Sequence, residues 1–455
     1  MKVLLMNPIH NPMEMECCDI GLGYLASGLL RSGHEVKLLL RSLCEDKFRD
    51  ILISEKPDIV GIKVLTANVN AVVKTIKTIR EAGSSIIAIG GPHVSGDPLG
   101  VLEYISADYA LSSEADLSFV EFTNLMAKDA LKDRRKFLPG LIYRENGLIK
   151  ANPSEVITDI SALPFPAWEL MPPGNYPSLA FKRSPVAGIM VTRGCSNICS
   201  FCAESHKRLR FRRVENVLAE IKYLIDRFNV REIQFLDSNF IANKAYVKAL
   251  CNAILESKIS AAFCAPNGGR LENIDDEICD LLVRIGFYRI NTGIESGSPE
   301  ILSMIQKDSN LSLVKEKVKL LHKHGIHVIG NFMVGFPGET RRQMQKTLDL
   351  ALSLDLTAVN FFIYTPMPGT KLYADLIGKR KLFHSRDFKN YNFVAYENNL
   401  SEMSPKELKK FRTKCLFAFV IRWRIFKIAA ELIKSGISWS SIARRIYWMY
   451  ISKLV

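Results

Sequence analysis

Three absences narrow what this chain can be. No positively charged segment followed by an apolar one opens it: Met1-Lys2 runs straight into Val3-Leu4-Leu5-Met6 and then the turn-forming Asn7-Pro8. That is not the start of a secretory signal, and the expectation is a cytoplasmic protein. No short-period repeat runs through the 455 residues, and low-complexity stretches are few. There is also no disulfide framework of the secreted kind, because the 10 cysteines are scattered apart from one cluster of three. Such usage fits a reducing compartment, where thiolates are available to hold metal.

What is present is enough apolar residue, 48%, to bury two or three cores. The formal charge of +14 is unevenly spread. Residues 401–455 hold 12 Lys/Arg against 3 Asp/Glu, while the remainder is close to neutral. A near-neutral body argues against a broad nucleic-acid face, so nucleic acid is not expected as a partner. A basic tail by itself suits an anionic membrane surface, an acidic substrate or, ranked below these, nucleic acid.

The first 130 residues alternate short β-branched runs with helical patterns. Val3–Met6, Val36–Leu40, Ile59–Val64, Ile86–Ile89 and Tyr109–Leu111 read as strands, and Ala71, Val72, Ile76 and Ile79 as one helical stripe. This predicts a doubly wound, Rossmann-like parallel sheet with its ligand at the carboxyl ends of the strands. The loop tips there are Thr66-Ala67-Asn68 and Gly90-Gly91-Pro92-His93. Residues 131–185 break the rhythm as a linker, with a hairpin around Glu145-Asn146-Gly147 and a Pro-rich stretch that packs through Phe165 and Trp168. A second alternation fills 186–390, with strands near 187–192, 232–236, 262–266, 288–294, 328–334 and 358–364. Val217, Leu218, Ile221, Leu224, Ile225 and Phe228 mark one of its helices. Six β/α units suit a partial barrel, again with the site at the carboxyl ends.

Directly after the first strand of that barrel comes Thr192-Arg193-Gly194-Cys195-Ser196-Asn197-Ile198-Cys199-Ser200-Phe201-Cys202. Three readings compete. The cysteines line one face of a helix; they bind zinc with His206 as fourth ligand; or they hold a [4Fe–4S] cluster through three thiolates, leaving one iron open. Gly194, Ser196, Asn197 and Ser200 are poor helix formers and favour a loop.

The CxxxCxxC spacing, with Phe201 before the last cysteine, resembles the radical S-adenosylmethionine (SAM) superfamily. The resemblance implies that Cys195, Cys199 and Cys202 are the catalytic metal ligands. It implies further that the open iron binds SAM, whose reductive cleavage yields a 5′-deoxyadenosyl radical. A reduced flavodoxin or ferredoxin is the electron donor expected for such an enzyme. Other segments are similar to the family's cofactor-contacting elements. Leu236-Asp237-Ser238-Asn239 resembles the element that receives the methionine amino group, although Asp237 suits a helix N-cap equally. In Gly268-Gly269-Arg270, Arg270 is placed to pair with the methionine carboxylate or to form a surface salt bridge. Gly293-Ile294-Glu295-Ser296-Gly297-Ser298 sets Glu295 near the ribose, between two glycines that let a ligand approach. Gly330–Thr340 resembles the unit that packs on the adenine. Tyr364–Thr370 resembles a closing loop in which Met367 covers the adenine face, and a tight turn would also explain its prolines and Gly369.

A doubly wound domain ahead of the barrel is similar to that of the cobalamin-binding subfamily. Pro57-Asp58-Ile59-Val60-Gly61-Ile62, the Thr66 loop, Ile89-Gly90-Gly91-Pro92-His93 and the Leu163–Trp168 linker carry that resemblance, which implies cobalamin as a further cofactor. Three departures accompany it. The Asp-x-His-x-x-Gly signature of a cobalt-ligating histidine is broken, since position 91 is Gly ahead of His93 and Gly96. A glycine-rich turn is replaced by Ser113-Glu114-Ala115-Asp116, with Glu114 retained, and Cys17-Cys18-Asp19 stands where prolines are usual. Side chains in a close-approach loop would crowd a corrin.

The tail, 391–455, reads as helical from Pro405. It carries Trp423, Trp439 and Trp448, and Arg422, Arg424 and Lys427 interrupt its apolar runs. That pattern suits peripheral contact with the inner face of a membrane, or a helical cap on the barrel. The function expected is cobalamin-dependent C-methylation of an unactivated carbon in a small-molecule or lipid substrate. Rearrangement, cyclisation or ring contraction, methylthiolation of tRNA or protein, and a structural zinc role are the alternatives.

Overall fold

The computed structural model describes residues 1–8, 18–40, 44–175, 182–205, 207–379, 388, 391–397 and 399–421. They form two compact units. The first is Met1–Pro177 with Phe201–Ala203 and Pro366–Tyr391; the second is Ser178–Ser200 with Glu204–Thr365 and Asn392–Val455.

The first unit is a seven-stranded sheet in the order β2-β1-β3-β4-β5-β6-β7. Strands β1 (Lys2–Met6), β2 (Glu35–Leu39), β3 (Ile59–Lys63), β4 (Ile86–Gly90) and β5 (Tyr109–Leu111) are parallel and lie on the expected runs. Helices cover both faces, so Ile59, Val60 and Ile62 are buried as a continuous run rather than an alternating one. On the helix Val69–Ala82, Ala71, Val72, Ile76 and Ile79 are all buried, as their spacing predicts. The hairpin β6 (Leu141–Glu145) and β7 (Leu148–Ala151) turns at Asn146 and Gly147, with φ 51° and 79°, a pair of left-handed residues that matches strand twist. It belongs to the sheet and not only to a linker, pairing antiparallel with β5 through Ala110 and Ile142. Trp168 is wholly buried.

The second unit is a six-stranded parallel sheet in the order β15-β14-β13-β12-β11-β8, the partial barrel expected. Its strands are β8 (Val186–Ile189), β11 (Glu232–Phe235), β12 (Ala262–Ala265), β13 (Phe287–Glu295), β14 (His327–Val334) and β15 (Ala358–Ile363). The expected first strand, 187–192, is split. Residue 189 ends β8, and Thr192–Cys195 forms a new strand, β9, which pairs antiparallel with β10 (Lys207–Phe211) in a separate two-stranded sheet. On the helix Val214–Phe228, Val217, Ile221 and Leu224 are buried while Leu218, Ile225 and Phe228 are half-buried.

The basic tail begins as read. Ser404 and Glu407 form a capping box at the start of the helix Pro405–Val420. Leu408, Phe411, Cys415, Leu416 and Phe419 are buried, and Arg412 Nε donates to the Phe361 carbonyl of β15 at 2.8 Å. This first part of the tail therefore packs on the barrel. Trp423, Trp439 and Trp448 lie outside the described residues, as do Cys17 and His206. Among the described residues no helix is long and apolar enough to cross a membrane.

Candidate active site

The cysteines sit at the tip of the β9/β10 hairpin, not on a helix. Asp237 explains why the chain turns there. Its Oδ1 accepts from Val191 N at 3.0 Å, from Thr192 N and from Thr192 Oγ1 at 2.7 Å, drawing the end of β8 into β9. Gly194, at φ 84°, completes the bend, since a Cβ there would stand 2.3 Å from the Arg208 carbonyl on the opposite strand. Asp237 caps no helix; the next helix is capped by Asn243. Burial pushes the Asp237 carboxyl up to about 6 against the pull of its Thr192 and Val191 bonds, and its Oδ2 has no partner among the described residues. Ser238, beside it, is exposed.

Cys195 ends β9 half-buried, and Asn197 Nδ2 donates to its Sγ at 3.2 Å. Cys199 is buried, which pushes its thiol up while Lys307 and Arg270 pull it down. Ser200 N donates to the Ile305 carbonyl at 2.9 Å, tying the tip to the segment that follows the helix Pro299–Met304. Cys202 and Phe201 are half-buried. Among the described residues no three His, Cys, Asp or Glu side chains converge tightly enough to hold a single ion.

Arg270 is drawn to this hairpin. Its Nη1 donates to Asn197 Oδ1 at 2.7 Å, its Nη2 to the Asp308 carbonyl, and its Nε to Glu272 Oε1 at 3.0 Å. The guanidinium is thus committed to three protein acceptors. Glu295 ends β13 at φ 65°, a left-handed conformation that is uncommon without glycine, next to a register shift. Its carboxylate takes Lys307 Nζ at 3.2 Å, and both side chains are nearly buried. The flanking glycines lie close to other parts of the chain. A Cβ on Gly293 would lie 2.3 Å from Glu295 Oε1, and one on Gly297 2.3 Å from the Lys346 carbonyl. Lys307 was missed, because lysine is almost never buried unless paired and nothing in its local pattern marks the pair.

In the first unit the expected ligand end carries a closed chain of hydrogen bonds. Thr66 Oγ1 meets His93 Nδ1 at 3.1 Å, His93 Nε2 meets Tyr104 OH at 2.8 Å, and Tyr104 OH donates to Asp97 Oδ2 at 2.8 Å. His93 is fully buried, and burial holds its imidazole down at about 4, against a smaller upward pull from Asp97. Gly91, at φ 110°, has no room for a Cβ beside the Val64 carbonyl, and Pro92 is the exposed first residue of its short helix. Ser113, where a glycine was expected, still adopts the glycine-like φ of 64°. Glu114 turns its Oε2 onto the Ile157 N–H at 3.1 Å.

Met367 departs from expectation. It packs against the hydrophobic core of the first unit, together with Phe388 and Tyr391. The close approach of Gly96 to Pro368 and Gly369, where a Cβ on Gly96 would meet the Pro368 carbonyl at 2.5 Å, lets this segment reach that core. Phe388 then stands edge-on to the His93 ring at 4.8 Å.

Comparison with known proteins agrees with this geometry. The radical SAM superfamily matches residues 189–351, and the B12 binding domain matches residues 8–123. An uncharacterized methyltransferase of Pyrococcus horikoshii is 31% identical over 93% of this chain and 94% of its own. A cytidylyl-2-hydroxyethylphosphonate methyltransferase of Streptomyces wedmorensis is 25% identical, covering 89% and 85%. The structure of the radical SAM methyltransferase TsrM from Kitasatospora setae, with cobalamin and a [4Fe–4S] cluster bound, superposes with a TM-score of 0.69 at 20% identity, covering 83% of this chain and 75% of that one. The chain belongs to the radical SAM superfamily, in its cobalamin-binding branch. It is a radical SAM enzyme whose cofactors are a [4Fe–4S] cluster, SAM and cobalamin.

The residues present fit these groups. The hairpin offers three thiols, and the unit that holds Cys195 and Cys199 also holds the orphaned Asp237 Oδ2 and the buried Glu295–Lys307 ion pair. The first unit presents an edge whose polar groups Thr66, His93, Tyr104 and Asp97 are already hydrogen-bonded to one another.

Proposed function

We propose that the protein methylates an unactivated carbon of a small-molecule substrate, with Cys195, Cys199 and Cys202 as the cluster ligands. The observation that carries the reading is the pairing, in one chain, of a three-thiol hairpin beside a six-stranded barrel with a doubly wound domain of cobalamin-binding type. When bound, the cluster and cobalamin supply reductive cleavage of SAM and relay of a methyl group. The chain's own part is to hold three thiolates, fix their hairpin through Asp237 and Arg270, and present Glu295 at the strand end. His93, with both ring nitrogens engaged by Thr66 and Tyr104, would not be free to ligate a bound cobalamin. Thr66, Gly90, Gly91 and Pro92 line the corrin end, with Glu114 behind them. Electrons arrive from a reduced flavodoxin or ferredoxin, and the basic tail is the part that contacts a membrane if the substrate is a lipid.

The test is anaerobic reconstitution with iron, sulfide and cobalamin. Reductant should then release 5′-deoxyadenosine from SAM. With SAM carrying a trideuterated methyl group, an anaerobic cell extract should yield a metabolite heavier by that group. Release of 5′-deoxyadenosine without labelled product moves the reading to rearrangement or cyclisation, and stoichiometric zinc without iron overturns it.

A further inference from the structure

The inner face of the six-stranded sheet carries carboxamides whose hydrogen-bonding capacity the chain leaves unused. Consecutive parallel strands joined by right-handed crossovers put their connecting helices on one face. That face buries Ile290, Thr292, Ile294, Phe332 and Phe361, while the residues alternating with them on the opposite face, Asn291, Ile329, Asn331, Asn360 and Phe362, stay half-buried. Asparagine is disfavoured in strands, so its recurrence on this face calls for a reason.

The register brings the three asparagines together. Asn331 on β14 lies opposite Asn360 on β15, and Asn291 on β13 stands one step deeper, opposite Ile329. Asn360 Nδ2 donates to Asn331 Oδ1 at 2.9 Å, which leaves the Asn331 amino group and the Asn360 carbonyl without a partner among the described residues. Asn291 makes no side-chain hydrogen bond among those residues, and its Oδ1 is buried. A carboxamide holds both donors and acceptors, and leaving them unmet inside a protein costs stability.

Charge, by contrast, is settled deeper in the same face, where Glu232, Cys264 and Arg289 share the register of neighbouring strands. Glu232 Oε1 accepts from Tyr288 OH at 2.9 Å and from Cys264 Sγ at 3.7 Å, and that sulfur accepts from Arg289 Nη2 at 3.6 Å. Carboxylate and guanidinium thus meet through one thiol. Glu232 Oε2 takes the N–H groups of Lys182 and Arg183 at 2.6 and 2.9 Å. The asparagine layer above this network offers donors and acceptors without charge.

We propose that Asn291, Asn331 and Asn360 bind the substrate, and that the part of it entering the barrel is an uncharged group with a hydrogen-bond donor beside an acceptor: the amide edge of a carboxamide, lactam, ureide or nucleobase. The inference rests on the function proposed above and narrows its substrate class. The Asn331 amino group meets the substrate carbonyl, and the Asn360 carbonyl meets its N–H. A hydrocarbon chain in the same place would leave all of these groups unanswered, so a lipid tail does not fit.

The test uses the holoenzyme reconstituted anaerobically with iron, sulfide and cobalamin, SAM carrying a trideuterated methyl group, and an anaerobic cell extract whose products are partitioned between water and chloroform. The label should appear in the aqueous phase, in a metabolite whose fragmentation shows one of those amide edges. Asn331→Leu/Asn360→Leu, which changes side-chain size little, should take up its cluster as wild type does and form about 10- to 100-fold less labelled product, the range expected for one or two lost hydrogen bonds. Polar groups kept for a ligand burden the fold, so Asn291→Leu and the double variant should both unfold at higher urea concentration than wild type. Labelled product confined to the chloroform phase overturns this inference alone, as does a double variant that labels at the wild-type yield. Lowered urea midpoints in both variants make the asparagines structural and also overturn it. A wild-type enzyme that labels nothing overturns the proposed methylation and this inference with it.

Discussion

The carboxyl edges of the two sheets are built on opposite electrostatic plans. In the barrel, charge is buried and left partly unanswered: among the described residues Asp237 keeps one oxygen without a partner, and Lys307 has a single acceptor. In the doubly wound unit, Thr66, His93, Tyr104 and Asp97 form a closed series, and Asn7, Asp19, Lys63 and Asn68 form another. A sulfonium amino acid and an iron–sulfur cluster are charged, and they reward donors and acceptors held ready. A corrin is bulky and largely uncharged on its face, and it rewards a flat edge whose polar groups are already paired. The two edges thus differ in how completely their polar groups are already paired within the chain.

The contrast is broken most severely at the thiols. Cys199→Ala should abolish both the cluster absorbance and 5′-deoxyadenosine release after reconstitution while leaving cobalamin uptake intact; coupled loss of both cofactors would mean the two edges are not independent. Next is Asp237→Ala, which strands the buried N–H groups of Val191 and Thr192. It should cost about 3 kcal/mol in denaturant unfolding. Asp237→Asn should keep much of that bonding and remove a pH dependence. A carboxyl raised to about 6 binds its proton more tightly folded than unfolded, so its contribution to stability declines as pH rises from about 4 to about 6, and the Asn variant should not show that decline.

His93 gives the opposite slope in the other sheet. An imidazole held at about 4 takes up its proton more readily when unfolded, so stability is lost as pH falls from about 6.5 to about 4, by on the order of 3 kcal/mol, and His93→Gln should flatten that limb. The reduced cobalamin-loaded protein should show no nitrogen splitting from His93 in its electron paramagnetic resonance spectrum. The smallest effect is expected of Ser113→Gly, which relieves a left-handed serine. It should stabilise the protein by about 0.5 kcal/mol, because the relief exceeds the added chain entropy only slightly. Its cobalamin retention should equal that of wild type, since the serine already holds the glycine-like backbone.

Much of this was readable in advance where the signal is local. The strands of the first sheet lie on β-branched runs, the stripe Ala71, Val72, Ile76 and Ile79 is buried as spaced, and Asn146-Gly147 makes its hairpin. Poor helix formers between the cysteines predicted a loop, and a loop it is. Other features were illegible because they depend on distant partners. Asp237 splits the first barrel strand through bonds to residues 45 and 46 positions away, and a helix cap was an equally good reading of the same sequence. The glycines beside Glu295 suggest access for a ligand, and each also lies close to another part of the chain. Met367 was assigned to the barrel by its neighbours in sequence and went to the first unit's core, which only the Gly96–Gly369 approach permits.

The sequence by itself determined the alternation of strand and helix, the three-thiol spacing and the broken cobalt-ligand signature, since each is written in residues a few positions apart. Tertiary structure alone decided what each of two cations bonds. Arg270 and Lys307 are both basic residues in polar segments, and only folding gives the first three protein acceptors around the cysteine hairpin and the second a buried carboxylate. A charge's role follows from what surrounds it after folding, and that environment is assembled from parts of the chain no local pattern connects.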